Sequence, residues 1–360
     1  MTAPAPQPGI MEIELYVGGQ SSLPGQVDVL KLSSNENPLG PPPAAIEAIT
    51  QAAASSHLYP STDHAALRLA IGEVHGLDPD RIICGVGSDE VLQFVTQAFA
   101  GPGDEIIHTA HGFSMYPVLI NMAGATAVTV PEADRQVDVD AVLGAISDRT
   151  RVILITNPGN PTGTRLSDEH LARLVSGVPD HIALVLDGAY TEYVAGSDGG
   201  AALIGDRPNV LMTRTFSKIY GLGGLRIGWG YAAREMIEVL TRIRQPFNLS
   251  GVQLAAAEAA VRDRAWVESC AALNAEQRAR LLGAVRQLGV AADDSETNFV
   301  LARFADPAEA QSAHAAFMAD GIIVRPVAGY GFPEALRITV GDAAQTGRVI
   351  DTLTRWREAA

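Results

Sequence analysis

Lys218 stands between an apolar run and a glycine-rich turn in TRTFSKIYGLGGLRIGW, residues 213–229, with Thr215 and Ser217 before it and Arg226 after it. A solvated lysine beside a flexible loop would read the same way, since lysine is seldom buried. Its neighbours point to chemistry: a Schiff-base lysine needs a depressed pKa and a phosphate-bearing cofactor held by hydroxyls and a cation, and Ser217, Thr215 and Arg226 are those residue types. Upstream, ALVLDGAY ends an apolar strand on Asp187, with Tyr190 just beyond. Such an acid is either a loop or cap carboxylate or the partner of a pyridinium nitrogen, which a cofactor acting as electron sink needs protonated. VILITNPGNPTGT runs a strand into two Asn-Pro steps, a rigid turn able to aim the Asn160 amide at a ring hydroxyl. In CGVGSDEVL, residues 84–92, Gly87, Ser88 and Asp89 lie between a strand and a helix, where free N–H groups suit a phosphate, although a Gly-Ser cap without a ligand is equally familiar.

The elements that must position these residues follow an α/β pattern, in which short apolar runs alternate with amphipathic stretches. Strands are predicted at 82–85, 105–108, 127–130, 152–156, 183–186, 210–213 and 225–229, which implies a mostly parallel seven-stranded sheet covered by helices on both faces. Helices are predicted at 89–100 and 167–178, each opening just after a strand end, where ligands of open α/β sheets bind. An Ala-rich helical stretch at 252–288 precedes strands at 298–302, 322–325 and 336–340 and a last helix at 344–356, the pattern of a smaller α+β domain. The expected organisation is an N-terminal arm over 1–43, a large domain over 44–246 and a small domain over 247–360.

Composition narrows the partners. The chain has 360 residues, 47% of them hydrophobic, with 26 Lys+Arg against 41 Asp+Glu and a net charge of −15, which would repel a polyphosphate backbone and argues against nucleic acid. Two cysteines, Cys84 and Cys270, make neither a disulfide framework nor a four-thiolate zinc site, so a reducing compartment, the cytoplasm, is expected. No run approaches the length of a membrane span, and MTAPAPQPGIMEIEL lacks the pattern of an export signal, so neither membrane insertion nor export is expected. His108 and His111 have no acid at ligand spacing, and no metal site is expected.

In their order along the chain the four segments resemble the pyridoxal-phosphate enzymes of the aspartate-aminotransferase fold, fold type I, and more narrowly the histidinol-phosphate aminotransferases. The resemblance covers nearly the whole chain and includes LSSNENPLGPPP (32–43), Tyr59-Pro60, HGFSMYPV (111–118), TNFVLARF (297–304) and GIIVRPVAGYGFPEALRITVGD (321–342). It implies pyridoxal 5'-phosphate as cofactor, joined to Lys218, which then shuttles a proton. Asp187 would pair with the ring nitrogen, Asn160 and Tyr190 would hydrogen-bond the ring oxygen, and Phe113 would stack on the ring. The phosphate would be held by Ser88, Asp89, Thr215, Ser217 and Arg226, with Tyr59 reaching in from a neighbouring subunit, which requires a homodimer. Arg337 would take the carboxylate of glutamate through two parallel contacts, and Tyr16, Asn37 and Arg325 would serve the substrate phosphate and the donor side chain. The implied reaction joins histidinol phosphate and 2-oxoglutarate to imidazole-acetol phosphate and glutamate. Three positions depart from the family pattern: Gly159 and Gly188 stand where Asn and an acid are usual, and Phe113 stands for the commoner Tyr.

Other readings keep parts of this pattern. An aromatic amino-acid aminotransferase and a pyridoxal-phosphate decarboxylase of a phosphorylated amino acid share the motifs. A nicotinamide oxidoreductase does not, because Gly85 and Gly87 lack the third glycine of the fingerprint and Gly221 and Gly223 open no helix after a strand. A ligand-binding regulator on the same fold would need a DNA-binding module, for which the chain has no spare domain.

Overall fold

The computed structural model describes residues 4–6, 8–15, 22–25, 28–205 and 207–359; Tyr16 lies outside the described residues. The arm contributes β1 (Leu30–Lys31), followed by α1 (Pro43–Ala53) and α2 (Ala65–His75). Next come β2 (Ile82–Gly85), α3 (Gly87–Phe99), β3 (Glu105–Thr109), α4 (Met115–Ala123), β4 (Thr126–Val130), the hairpin β5 (Glu132–Ala133) and β6 (Gln136–Val137), and α5 (Val139–Gly144). The large unit continues through β7 (Thr150–Thr156), α6 (Asp168–Gly177), β8 (Ala183–Asp187), α7 (Ala201–Ile204), β9 (Val210–Thr215), β10 (Gly228–Ala232) and α8 (Arg234–Ile243). After α9 (Gly251–Arg262) and α10 (Arg264–Gln287) the chain closes with β11 (Phe299–Arg303), α11 (Pro307–Ala319), β12 (Ile322–Ile323), β13 (Arg325–Val327), β14 (Phe332–Thr339) and α12 (Ala343–Ala359).

The large sheet has the order β2-β10-β9-β8-β7-β3-β4. β10 runs antiparallel to both its neighbours, and the other pairings are parallel. Both faces of the inner strands are covered, whereas the edge strand β4 is exposed at Thr126, Ala127 and Thr129. Ile153, Ile155, Leu184 and Leu186 face the core shared with α2, α6 and α9, while Val152, Leu154, Ala183 and Val185 face the one shared with α3, α4 and α8. Parallel strands covered on both faces have no solvent side to mark with polar residues, so they read as continuous apolar runs.

Several boundaries differ from the sequence expectation, among them β14, which begins at Phe332 and not at 336. The strand expected from Leu225 begins at Gly228, because Gly223–Leu225 close a 3-10 turn and Arg226 takes a left-handed φ of 53°. At Gly228 a Cβ would stand 2.1 Å from the Ser88 nitrogen, so only glycine lets β10 pass beneath the start of α3. The expected strand at 322–325 is two strands: β12 pairs with β1 of the arm and β13 with β14. The Ala-rich stretch is two helices, parted at Asp263, whose side chain caps the second by accepting from the Trp266 N–H.

The change of composition after 246 does not coincide with the change of core. Ala256, Ala257 and Ala260 of α9, and Cys270 of α10, pack with the large sheet, whereas Leu281 and Val285 of α10 pack with Val300, Phe317, Leu336 and Trp356 of the small unit. The 24-residue α10 thus carries the chain from one core to the other. Leu32 of the arm also belongs to the small core, and β1 adds a strand beside β12.

Candidate active site

The carboxyl ends of β7, β8 and β9 deliver the 157–163 turn, Asp187 and the Thr215–Lys218 segment to one cleft, which the small unit closes with Arg325, Tyr330 and Arg337. Asp187 is the last residue of β8, opposite Thr156 of β7 and Thr213 of β9. It is 3% exposed and faces hydroxyls: Thr213 Oγ1 donates to Oδ1 at 3.0 Å and Tyr116 OH to Oδ2 at 3.1 Å. With its one proton on Asp187, the Tyr116 oxygen accepts from Thr156 Oγ1 at 2.6 Å. Burial outweighs these donors and pushes the carboxyl up to about 6.

Lys218 is a second charge in the cleft, half-buried and without an opposite partner among the described residues. Its Nζ donates to the Ser34 carbonyl at 3.2 Å and lies 5.9 Å from the centre of the Tyr190 ring, and among the described residues it makes no ion pair. Burial, reinforced by the nearby Arg337, draws its amine down to about 8.

One end of the cleft is built for an anion. α3 opens on Gly87 at φ 77°, and its first-turn residues Ser88 and Asp89 line the cleft, so a helix start, whose first N–H groups have no partner within the helix, borders it. Arg226 donates to Asp89 Oδ2 at 2.9 Å, to Ser217 Oγ at 3.0 Å and to the Gly223 carbonyl at 3.2 Å. Thr215 Oγ1 accepts from the Ser217 N–H at 3.0 Å, which holds the turn in shape.

The small unit brings two further cations to the cleft. Arg325 and Arg337 are directly opposed on β13 and β14, which brings two guanidinium groups to the same part of the cleft. Arg337 is buried, its guanidinium 5.3 Å from the centre of the Phe299 ring, donating to Asn160 Oδ1 at 2.5 Å and to the Ser33 carbonyl at 2.8 Å. The bond to Oδ1 leaves the Asn160 amide N–H groups to face the cleft. Phe113, on the turn after β3, forms a wall of the cleft and meets Tyr116 edge-on at 5.8 Å.

Ser88, Asp89, Phe113, Asn160, Asp187, Tyr190, Thr215, Ser217, Lys218, Arg226, Arg325 and Arg337 therefore share one cleft. Asn37 does not line it: its amide donates to the Ile219 carbonyl at 2.6 Å and to Cys270 Sγ at 3.2 Å, tying the arm to the large unit. Tyr59 is 83% exposed, stacked on Phe247 at 4.6 Å, and makes no contact with the cleft of its own chain. Sequence reasoning missed Ser33, Ser34, Asn35, Ser114, Thr156 and Tyr330, which line the cleft, and the hydroxyls of Tyr116 and Thr213 on Asp187. Ser33 to Asn35 lie in the LSSNENPLGPPP string already singled out, and strand pairing with Asp187 is the signal that would have found Thr156 and Thr213.

The arrangement suits a flat heteroaromatic cofactor with a cationic ring nitrogen, an aldehyde and a phosphate. A cationic nitrogen would answer the buried Asp187 carboxylate, an aldehyde would take up the Lys218 amine, and a phosphate would meet the α3 N–H groups and Arg226.

Known proteins agree with this construction. A family profile for class I and II aminotransferases matches residues 27–353. The histidinol-phosphate aminotransferase of Ruegeria pomeroyi is 64% identical over 354 residues, spanning 98% of each chain, and that of Dinoroseobacter shibae is 58% identical over the full length of both. Among solved structures, the histidinol-phosphate aminotransferase of Sinorhizobium meliloti in complex with pyridoxal-5'-phosphate superimposes with a TM-score of 0.89 at 27% identity, over 97% of each chain. With a match over most of its length and a cleft of this make-up, the chain belongs to the class I and II aminotransferases.

Proposed function

We propose that the chain moves an amino group between histidinol phosphate and 2-oxoglutarate, with pyridoxal 5'-phosphate as cofactor, as a step of histidine biosynthesis. The observation that carries the reading is the pair Lys218 and Asp187, each without an ion pair among the described residues, in a cleft also lined by Arg226, Arg325 and Arg337. Identity of 64% to a histidinol-phosphate aminotransferase along nearly the whole chain supports the choice of substrate.

The cofactor supplies an aldehyde that captures amines and a ring that accepts the electron pair left when a substrate loses its α-proton. Lys218, with an amine drawn down to about 8, is neutral in a usable fraction near neutral pH, so its Nζ would serve as the base that takes and returns a proton. Asp187 would set its carboxylate against the ring nitrogen and so hold a proton there. Tyr190 and Asn160 would donate to the ring oxygen, and Phe113 would cover a ring face; all three line the cleft. Arg337 orients glutamate by its carboxylate, and Arg325 stands beside it for the substrate phosphate.

The half-reaction tests this reading. Holoenzyme mixed separately with histidinol phosphate, glutamate and phenylalanine should convert its cofactor rapidly from aldehyde to amine form with the first two and slowly with the third, followed by absorbance. Preference for phenylalanine would reassign the chain to aromatic amino acids, and carbon dioxide release without a keto product would make it a decarboxylase.

The chain acts in this reading as a cytoplasmic homodimer in which Tyr59 reaches the cofactor phosphate bound by the partner. Leu58, Tyr59 and Phe247 are 64%, 83% and 46% exposed, an apolar cluster suited to burial against a second copy. Tyr59→Phe should leave a dimer on sedimentation and weaken cofactor binding about tenfold, the loss of one hydrogen bond to a charged group. A monomer, or unchanged cofactor affinity, would remove Tyr59 from the site.

A further inference from the structure

Asn35 is 1% exposed and holds a φ of 57°. A buried side chain in the left-handed region is kept there by its surroundings, and asparagine accepts that conformation more readily than most residues. Four hydrogen bonds fix it. Its N–H donates to Thr339 Oγ1 at 3.0 Å, its Oδ1 accepts from the same hydroxyl at 3.2 Å, its carbonyl accepts from Asn298 Nδ2 at 2.9 Å, and its Nδ2 donates to Tyr190 OH at 2.8 Å.

The direction of the last bond follows from the others. Thr339 Oγ1 accepts the Asn35 N–H and donates its own proton to Oδ1, which sets the amide nitrogen toward Tyr190. A phenol has one proton. With Asn35 donating to the Tyr190 oxygen, that proton points away from Asn35, and the Tyr190 ring is held edge-on against Phe299 at 5.3 Å. The adjoining carbonyls of Ser33 and Ser34 accept from Arg337 and Lys218, so the strained residue sits in a segment anchored to the cleft at three successive positions.

We infer that Asn35 is a positioning residue that turns the Tyr190 hydroxyl proton into the cleft, toward the ring oxygen of the cofactor. The inference rests on the cofactor placement proposed above. A donor on the ring oxygen stabilises negative charge there and weakens the hold on the proton shared with the Lys218 nitrogen. Losing that donor raises the pH at which the absorption band of the Lys218-bound cofactor changes.

The test is a spectroscopic pH titration of four holoenzymes: wild type, Asn35→Gly, Tyr190→Phe and the double variant. Glycine keeps the left-handed backbone and removes only the amide. Asn35→Gly should raise the midpoint by roughly half a pH unit and Tyr190→Phe by roughly one, the scale of a hydrogen bond weakened or lost. On the Tyr190→Phe background, Asn35→Gly should move it no further. An unmoved midpoint in Asn35→Gly while Tyr190→Phe shifts, or shifts that simply add, would overturn the role of Asn35 and leave the cofactor placement standing. A midpoint unmoved by Tyr190→Phe would overturn the placement of Tyr190 and the inference with it. Should Asn35→Gly not fold, Asn35→Asp, which retains the Thr339 bond but accepts from Tyr190, must also raise the midpoint; an unchanged value would sink the proposal.

Discussion

Replacing Lys218 with alanine is expected to reduce turnover by roughly 10³–10⁴-fold or more, because one nitrogen supplies both the covalent link and the general base. Cofactor should still bind, held by the phosphate end of the cleft, but without the absorption band of the lysine-bound form. Normal turnover in this variant would end the mechanism. The same substitution has a signature in the cofactor-free protein. In the fold the amine titrates at about 8 against an ordinary 10.5, so between these values the unfolded chain binds a proton that the folded chain has released. Stability therefore rises with pH across that window, and Lys218→Ala should abolish the rise. Urea titrations at pH 7.5 and 9.5 on both proteins would show it.

Asp187→Asn should slow the half-reaction with glutamate by about 10²–10³-fold, since the carboxylate that holds a proton on the ring nitrogen is gone while shape and burial persist. Stability should move the other way. Burial lifts the Asp187 carboxyl from 3.8 to about 6, so within that range the folded state holds a proton that the unfolded state lacks. Stability falls as pH rises through the window and stays low at neutral pH. An amide has no such charge to bury, and Thr213 and Tyr116 can still bond to it. At pH 7 the cofactor-free variant should be more stable than wild type, by up to something on the order of 3 kcal/mol. A variant that is both less stable and fully active would show that Asp187 is a structural acid. The opposed outcomes reflect a buried carboxylate whose counter-charge arrives only with the cofactor.

Much of this site is written in short strings. Lys218 follows directly on its hydroxyls, Asp187 ends an apolar strand, and the 157–163 turn is stiffened by two prolines, so strand ends and turn chemistry place them without knowledge of the rest. The fold class is legible for the same reason: doubly buried strands announce themselves as apolar runs, and helices start where caps permit. Local signals weaken where the chain bends back. They set β10 three residues early, because they do not contain the left-handed turn at Arg226, and they drew the domain boundary at a change of composition, although α9 packs with α1 and α2.

Asn35 and Asn37 show where sequence stops. Both belong to the NENP string, and by type and spacing either could face a ligand. The sequence reading chose Asn37, yet it is Asn35 that lines the cleft, while Asn37 fastens the arm to Ile219 and Cys270. What selects between them is Thr339, 304 residues along the chain, together with Tyr190 and Asn298. The sequence by itself determined which groups could do the chemistry, because strand ends, caps and turns are local. Only the tertiary structure decided which neighbours orient and discharge them, because contacts between distant segments, and the burial that shifts Lys218 and Asp187, exist only once the arm, the large sheet and the small unit are packed together.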